Sequence, residues 1–171
     1  ASPVPTKIQL GTNLTEGLGA GSNPSVGKQA AEESSDRISE LLDANTKMLF
    51  ITAGMGGGTG TGAAPIIAEI AREKGILTIG VVTNPFSTEG GYRKKYAKEG
   101  LDELRKYVDT LLIINNDKLI EVYGDLTLSQ AFAKANEVLN TATKGIAEVI
   151  SQHLLVNIDL NDARKVLENS G

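Results

Sequence analysis

The chain has 171 residues, 40% of them hydrophobic, with 17 Lys and Arg against 21 Asp and Glu for a net charge of −4. That is one domain of ordinary size with material for a core, and an acidic balance that argues against a nucleic-acid or anionic-membrane surface. Cysteine is absent and His153 is the one histidine, which excludes disulfides, thiolate chemistry, a His-rich zinc site within one chain and any Ser-His-Asp triad not using His153. His153 itself reads as a helix-end residue, where a cation is favoured. No apolar run approaches the ~20 residues of a membrane span. The opening ASPVPTKIQLG has neither a basic head nor an apolar stretch. The expectation is a soluble cytoplasmic protein.

Lys7–Leu10 is a short strand candidate closed by Gly11, and residues 15–24, TEGLGAGSNP, form a glycine-rich loop. Ser25–Asp43 reads as one helix, with Val26, Ala30, Ile38, Leu41 and Leu42 roughly on one side. Met48–Thr52 is an apolar, β-prone strand. A second glycine-rich run follows and leads into a helix with Ile66, Ile67, Ile70 and Ala71 on one face. Pro65 fits near its first turn and Gly75 stops it. Leu77–Thr83 is a continuous apolar strand of the kind buried on both faces. NPFSTEGG is a loop, Tyr92–Val108 a helix, Leu111–Asn115 a strand and NNDK a loop. Leu128 to about Gln152 sustains helical periodicity over a long helix, and Asn161–Asn169 reads as the opening of another.

Strands alternate with helices, which predicts an α/β, Rossmann-like, three-layer parallel sheet with helices on both faces. Ligands of such sheets sit at the carboxyl ends of the strands. GLGAG, GMGGGTGTG, NPFSTEG and NNDK then converge on one crevice.

The run AGMGGGTGTGAAP, residues 53–65, holds six glycines and no charge. A slack linker is a poor reading, because the run joins a strand directly to a helix. Glycine lets backbone approach an anion, and free N–H groups at a helix start face it. A phosphate loop of the G-x-x-x-x-G-K-[ST] type fails, since no lysine stands in register. The dinucleotide fingerprint matches loosely at Gly58, Gly60 and Ala63, but the acid expected near Thr83-Asn84 to hold the ribose is missing. A dinucleotide-binding oxidoreductase is the weaker alternative.

GGGTGTG at 56–62 resembles the signature of the tubulin/FtsZ superfamily, and the neighbouring segments are similar to those of bacterial FtsZ GTPases. TEGLGAGSNPSVGKQAA resembles the family's preceding phosphate loop and helix, and ILTIGVVTNPFSTEGGYR the stretch with its ribose-binding acid and arginine. IINNDKL, LSQAFAKANEVL and NIDLND are similar to the remaining nucleotide loops and the catalytic loop. The resemblance runs through nearly all of residues 7–171, in order.

It implies a GTP/GDP site in which Gly56, Gly57, Gly58, Thr59, Gly60 and Thr61 wrap the phosphates by backbone amides, with Ala20 and Gly21 near the γ-phosphate. Mg2+ would come with GTP, and no protein-only metal site is expected. Glu89 matches the ribose-contacting acid and Arg93 an arginine near sugar and phosphate; as residues alone they read as a solvated i,i+4 pair. Asn116 matches a nucleoside contact, and otherwise a turn residue. Phe132 would pack on guanine, and otherwise is helix core. Asn136 would read the base, since an amide offers donor and acceptor. Glu137 stands where the family commonly has Asp, which keeps the charge on a longer arm. Asn157, Asp159 and Asp162 match a catalytic loop that completes the next subunit's site and polarises water; Asp159 and Asp162 also fit a helix-capping arrangement.

The family's first strand, GGGGxN-type loop, helix and second strand have no counterpart before ASPVPTKIQLG. The expectation is a fragment: residues 1–171 as one partial GTP-binding domain, 157–171 as catalytic loop and start of the central helix, and no C-terminal domain. An open edge would then lie beside Met48–Thr52, to be filled by another polypeptide or a rearranged strand. The implied whole protein is a head-to-tail homopolymer at the division septum, with no nucleic-acid partner and no membrane insertion of its own. Its other division partners would bind absent segments. A non-catalytic fragment of the same fold that cannot hold nucleotide is the alternative.

Overall fold

Three apolar runs become strands β1 (Met48–Gly54), β2 (Leu77–Asn84) and β3 (Thr110–Asn115), parallel and in the order β1-β2-β3. The structure is a computed structural model that describes Thr6, residues 8–16 and residues 18–155, the last five as helical backbone. β2 is the central strand, and Leu77, Ile79, Val81 and Val82 are fully buried. An uninterrupted apolar sequence is what a strand covered on both faces needs. Each such side chain contributes about 1.5–3 kcal/mol by leaving water.

Register assigns the faces. Phe50 pairs with Ile79 and Val81 with Leu112 on one; Ile51 pairs with Gly80 and Val82 with Ile113 on the other. Between β1 and β2 runs α4 (Thr59–Glu73), and between β2 and β3 runs α5 (Gly91–Arg105). Both cover the second face, where Ile51, Ala64, Ala68, Val82, Leu101 and Leu104 form one core cluster. The first face packs on α7 (Leu128–Leu155), with Ile79 and Val81 against Leu139, Ala142, Ile146 and Ile150. Helices on both faces of a parallel sheet, as alternation predicts, make three layers.

Several boundaries differ from the sequence reading. Residues 8–10 form no strand; Gly11 N donates to Ser34 Oγ at 3.0 Å instead of to a ladder. The short helix α1 (Thr12–Thr15) is tied down by Glu33, whose carboxylate accepts from Asn13 N and Leu14 N. The single helix expected over Ser25–Asp43 is two, α2 (Pro24–Glu33) and α3 (Ser35–Leu41), separated at Ser34 (φ −97, ψ 13). α4 begins six residues before Pro65, because Gly62 N already closes a turn on Gly58 O. Pro65 therefore sits inside the helix and removes the donor that Thr61 O would have had. NNDK opens the helix α6 (Asn116–Tyr123), capped by the Asn115 side chain accepting from Asp117 N and ended by Gly124 at φ 75. The signals were there: an Asn cap, an acid in the first turn and a terminal glycine.

β1 pairs with β2 alone, so no strand among the described residues covers its outer edge. The rearranged strand expected there is not found within them. Asn157, Asp159, Asp162 and the expected helix at 161–169 lie outside the described residues, as do Lys7 and the side chain of His153.

Candidate functional site

α4 starts where β1 ends, and its first turn is built from residues with almost no side chain. Gly56 has φ 107, a conformation open to glycine but strained for others. A Cβ there would stand 3.0 Å from Arg93 O and 3.2 Å from Pro85 Cγ. A Cβ on Gly58 would stand 2.7 Å from Ala20 Cβ and 2.9 Å from Asn23 N, and one on Gly60 2.7 Å from Gly54 O. The GGGTGTG run is thus a fixed turn that lets the loop at residues 18–23 and the start of α5 close onto it.

Thr59, Gly60 and Thr61 are the first residues of α4, so their amides have no intrahelical acceptor and the positive end of the helix dipole lies there. The Gly56 amide is committed inside the turn: it donates to Thr61 Oγ1 at 2.7 Å, and Thr61 is buried. Gly62 packs against α2 as closely, since a Cβ on it would collide with Pro24 O and Lys28 N.

The loop after β2 closes the rim. Glu89 Oε2 accepts from Phe86 N at 2.6 Å, and its other oxygen lies 3.8 Å from Arg93 Nη1. Glu89 is largely covered, its side chain 14% exposed, while Arg93 is 41% exposed and its Nη2 donates to Ser22 Oγ at 3.4 Å. Arg93 so spans from the β2 loop to the Ala20–Gly21 loop. The pair expected on sequence is present, but it is not simply a solvated surface pair.

Asn116 is buried, and its Oδ1 has no partner among the described residues. An unpaired buried amide oxygen costs about 1–3 kcal/mol, so this is a group that a bound donor would satisfy. Phe132 is 39% exposed and meets Phe86 edge to face at 5.4 Å between ring centres. Asn136 is exposed one turn further along α7. Glu137 pairs along the helix with Lys134 at 3.4 Å, and that contact does not join it to the glycine turn. Among the described residues no group of three or more His, Asp or Glu could hold a metal, and no helix is long and apolar enough to cross a membrane.

Sequence reasoning brought together the glycine turn, Ala20, Glu89 and Arg93, and the structure places them along one rim. It missed Ser22, which Arg93 reaches, and Phe86, which meets Phe132. Phe86 lies in the quoted NPFSTEG loop, but nothing local distinguishes its ring as the buried support of Phe132.

The family described as Tubulin/FtsZ family, GTPase domain, matches residues 2–124. The cell division protein FtsZ of Coxiella burnetii is 55% identical over 165 residues, 96% of this chain and 42% of that protein. The cell division protein FtsZ 1 of Thermococcus kodakarensis is 53% identical over 165 residues, 96% of this chain and 44% of that protein. An empty FtsZ dimer from M. jannaschii superposes with a TM-score of 0.89 at 48% identity, over 95% of this chain and 47% of that one. The chain spans less than half the length of each of these relatives.

Proposed function

Because the chain belongs to the tubulin/FtsZ family, we propose that it is the nucleotide-binding part of a self-polymerising cell-division GTPase. The observation that carries this reading is the α4 turn: a run of glycines with unshared helix-start amides, closed in by Ala20 on one side and Arg93 on the other. Such a cradle suits a polyphosphate without any lysine.

The amides of Gly57, Gly58, Thr59, Gly60 and Thr61 hold the phosphates, with Gly56 shaping the turn. Ala20 and Gly21 lie against the terminal phosphate, so that loop distinguishes GTP from GDP. Arg93 offsets phosphate charge and Glu89 accepts from the ribose hydroxyls. Phe132, backed by Phe86, stacks on the base. Asn116, Asn136 and Glu137 supply the polar edge that guanine needs, Glu137 by exchanging Lys134 for the base. Mg2+ would accompany the triphosphate and would supply charge neutralisation there. In hydrolysis water attacks the γ-phosphorus, the bond to the β–γ bridging oxygen breaks, and GDP and phosphate leave. Asn157, Asp159 and Asp162 of a neighbouring copy orient that water, and the carboxylates of Asp159 and Asp162 accept its proton. The assembly is head to tail, located at the division septum, with residues 1–171 forming part of the GTP-binding domain.

Titration of the chain with GTP and, separately, NAD tests the reading. Saturable GTP binding is expected, weakened about tenfold or more by Arg93→Ala through loss of a charge-assisted contact. No GTP binding would favour a fragment unable to hold nucleotide; the oxidoreductase alternative is not supported by the family match over residues 2–124, and no NAD binding is expected.

A further inference from the structure

Asp117 is the second residue of α6, and its carboxylate faces out of the helix onto the β2 loop. Oδ1 accepts from Ser87 N at 2.8 Å and Oδ2 accepts from Ser87 Oγ at 2.5 Å. Ser87 Oγ in turn accepts from Lys94 Nζ at 2.9 Å. The two hydrogen bonds from Ser87 hold the Asp117 carboxyl below the usual carboxylate range.

Ser87 sits between the two side chains the nucleoside would need. Phe86, directly before it, is the buried ring behind Phe132. Glu89, two residues on, is pinned by the Phe86 amide and reaches Arg93, which reaches Ser22. Polar contacts therefore string the start of α6, the loop after β2 and the loop at 18–23 along one rim, and Asp117 holds the α6 end. A carboxylate gripping the N–H and O–H of a single serine fixes both the position and the rotation of that residue.

We propose that Asp117 is a positioning residue: by latching Ser87 it holds the Phe86–Glu89 loop in the geometry that receives the base and ribose. It acts through Ser87. The inference rests on the nucleotide reading above, but the latch itself can be tested without nucleotide.

The experiment compares wild type, Asp117→Asn, Asp117→Glu, Ser87→Ala and the Asp117→Asn/Ser87→Ala double variant, all in the chain as it stands. GDP affinity is expected to fall roughly tenfold in each Asn or Ala single variant, as loss of a hydrogen bond to a charged group implies. Affinity for inorganic pyrophosphate should stay unchanged, because the α4 turn is untouched. The double variant should be no worse than the singles, since both remove the same contact, and Asp117→Glu should recover part of the loss. Ser87 is exposed, so its truncation leaves the core intact. Hydrogen exchange supplies the nucleotide-free arm, in which the amides of residues 86–90 exchange faster in Asp117→Asn while those of β2 do not. If wild type binds neither GDP nor pyrophosphate, the nucleotide reading fails and the exchange arm alone decides the latch. Unchanged exchange at 86–90, additive losses in the double variant, or equal losses of GDP and pyrophosphate affinity would each overturn the proposal.

Discussion

Gly27 and Gly62 face each other where α2 crosses α4. A Cβ on Gly27 would collide with Gly58 O, and one on Gly62 with Pro24 O. Neither has a positive φ, so the requirement is space and not backbone conformation. The crossing matters for the candidate site, because Gly58 is the residue just before α4 and belongs to the glycine turn. Gly145 in α7 is the contrast: nothing lies within 4 Å of a Cβ built there. Gly62→Ala is therefore expected to destabilise by about 1–3 kcal/mol or more through overpacking. Gly145→Ala should stabilise by about 0.5–1 kcal/mol through helix propensity. Urea unfolding of both variants checks this, and shifts of the same sign would contradict it. The sequence displays both glycines alike; only the crossing tells them apart.

At the level of elements, the apolar runs and helical periods were legible. β2 was readable because a strand covered on both faces needs no polar alternation, and α7 because its period holds over many turns. The α2–α3 interruption was not legible. The periodicity runs on through Ser34, and the break is tied to a hydroxyl that accepts from Gly11, 23 residues away. α6 was legible in principle from its caps, but its eight residues give too few turns for periodicity to outweigh the turn signal of NND. The sheet order carries its own expectation. The amides of Ile79, Val81 and Val82 in the central strand should exchange with solvent only at the rate of global opening. Those of β1 that point away from β2 should exchange far faster. Amide exchange resolved by residue checks it; equal protection on the two sides of β1 would mean that another strand lies along that edge.

On the scale of the whole molecule, the rim assembled from the segments that follow all three strands is half of a proposed active site. The other half, at Asn157, Asp159 and Asp162, is proposed to come from a neighbouring copy. GTP turnover per chain should then rise steeply with protein concentration and fall by about 100-fold or more in Asp162→Ala, the scale on which a group acting in proton transfer contributes. Mixing Asp162→Ala with an Arg93→Ala variant should restore part of the activity, because each supplies the half the other lacks. Turnover proportional to concentration and insensitive to Asp162→Ala would remove the in-trans role.

The sequence by itself determined the alternation of strands and helices, the glycine turn and its family, since these depend on neighbours along the chain and on backbone freedom. The tertiary structure decided which residues share the rim. Arg93 meets Ser22 across 71 positions and Asp117 meets Ser87 across 30. No local pattern encodes such contacts. They exist because parallel strands deliver the ends of distant segments to one side of the sheet, where single polar side chains join them.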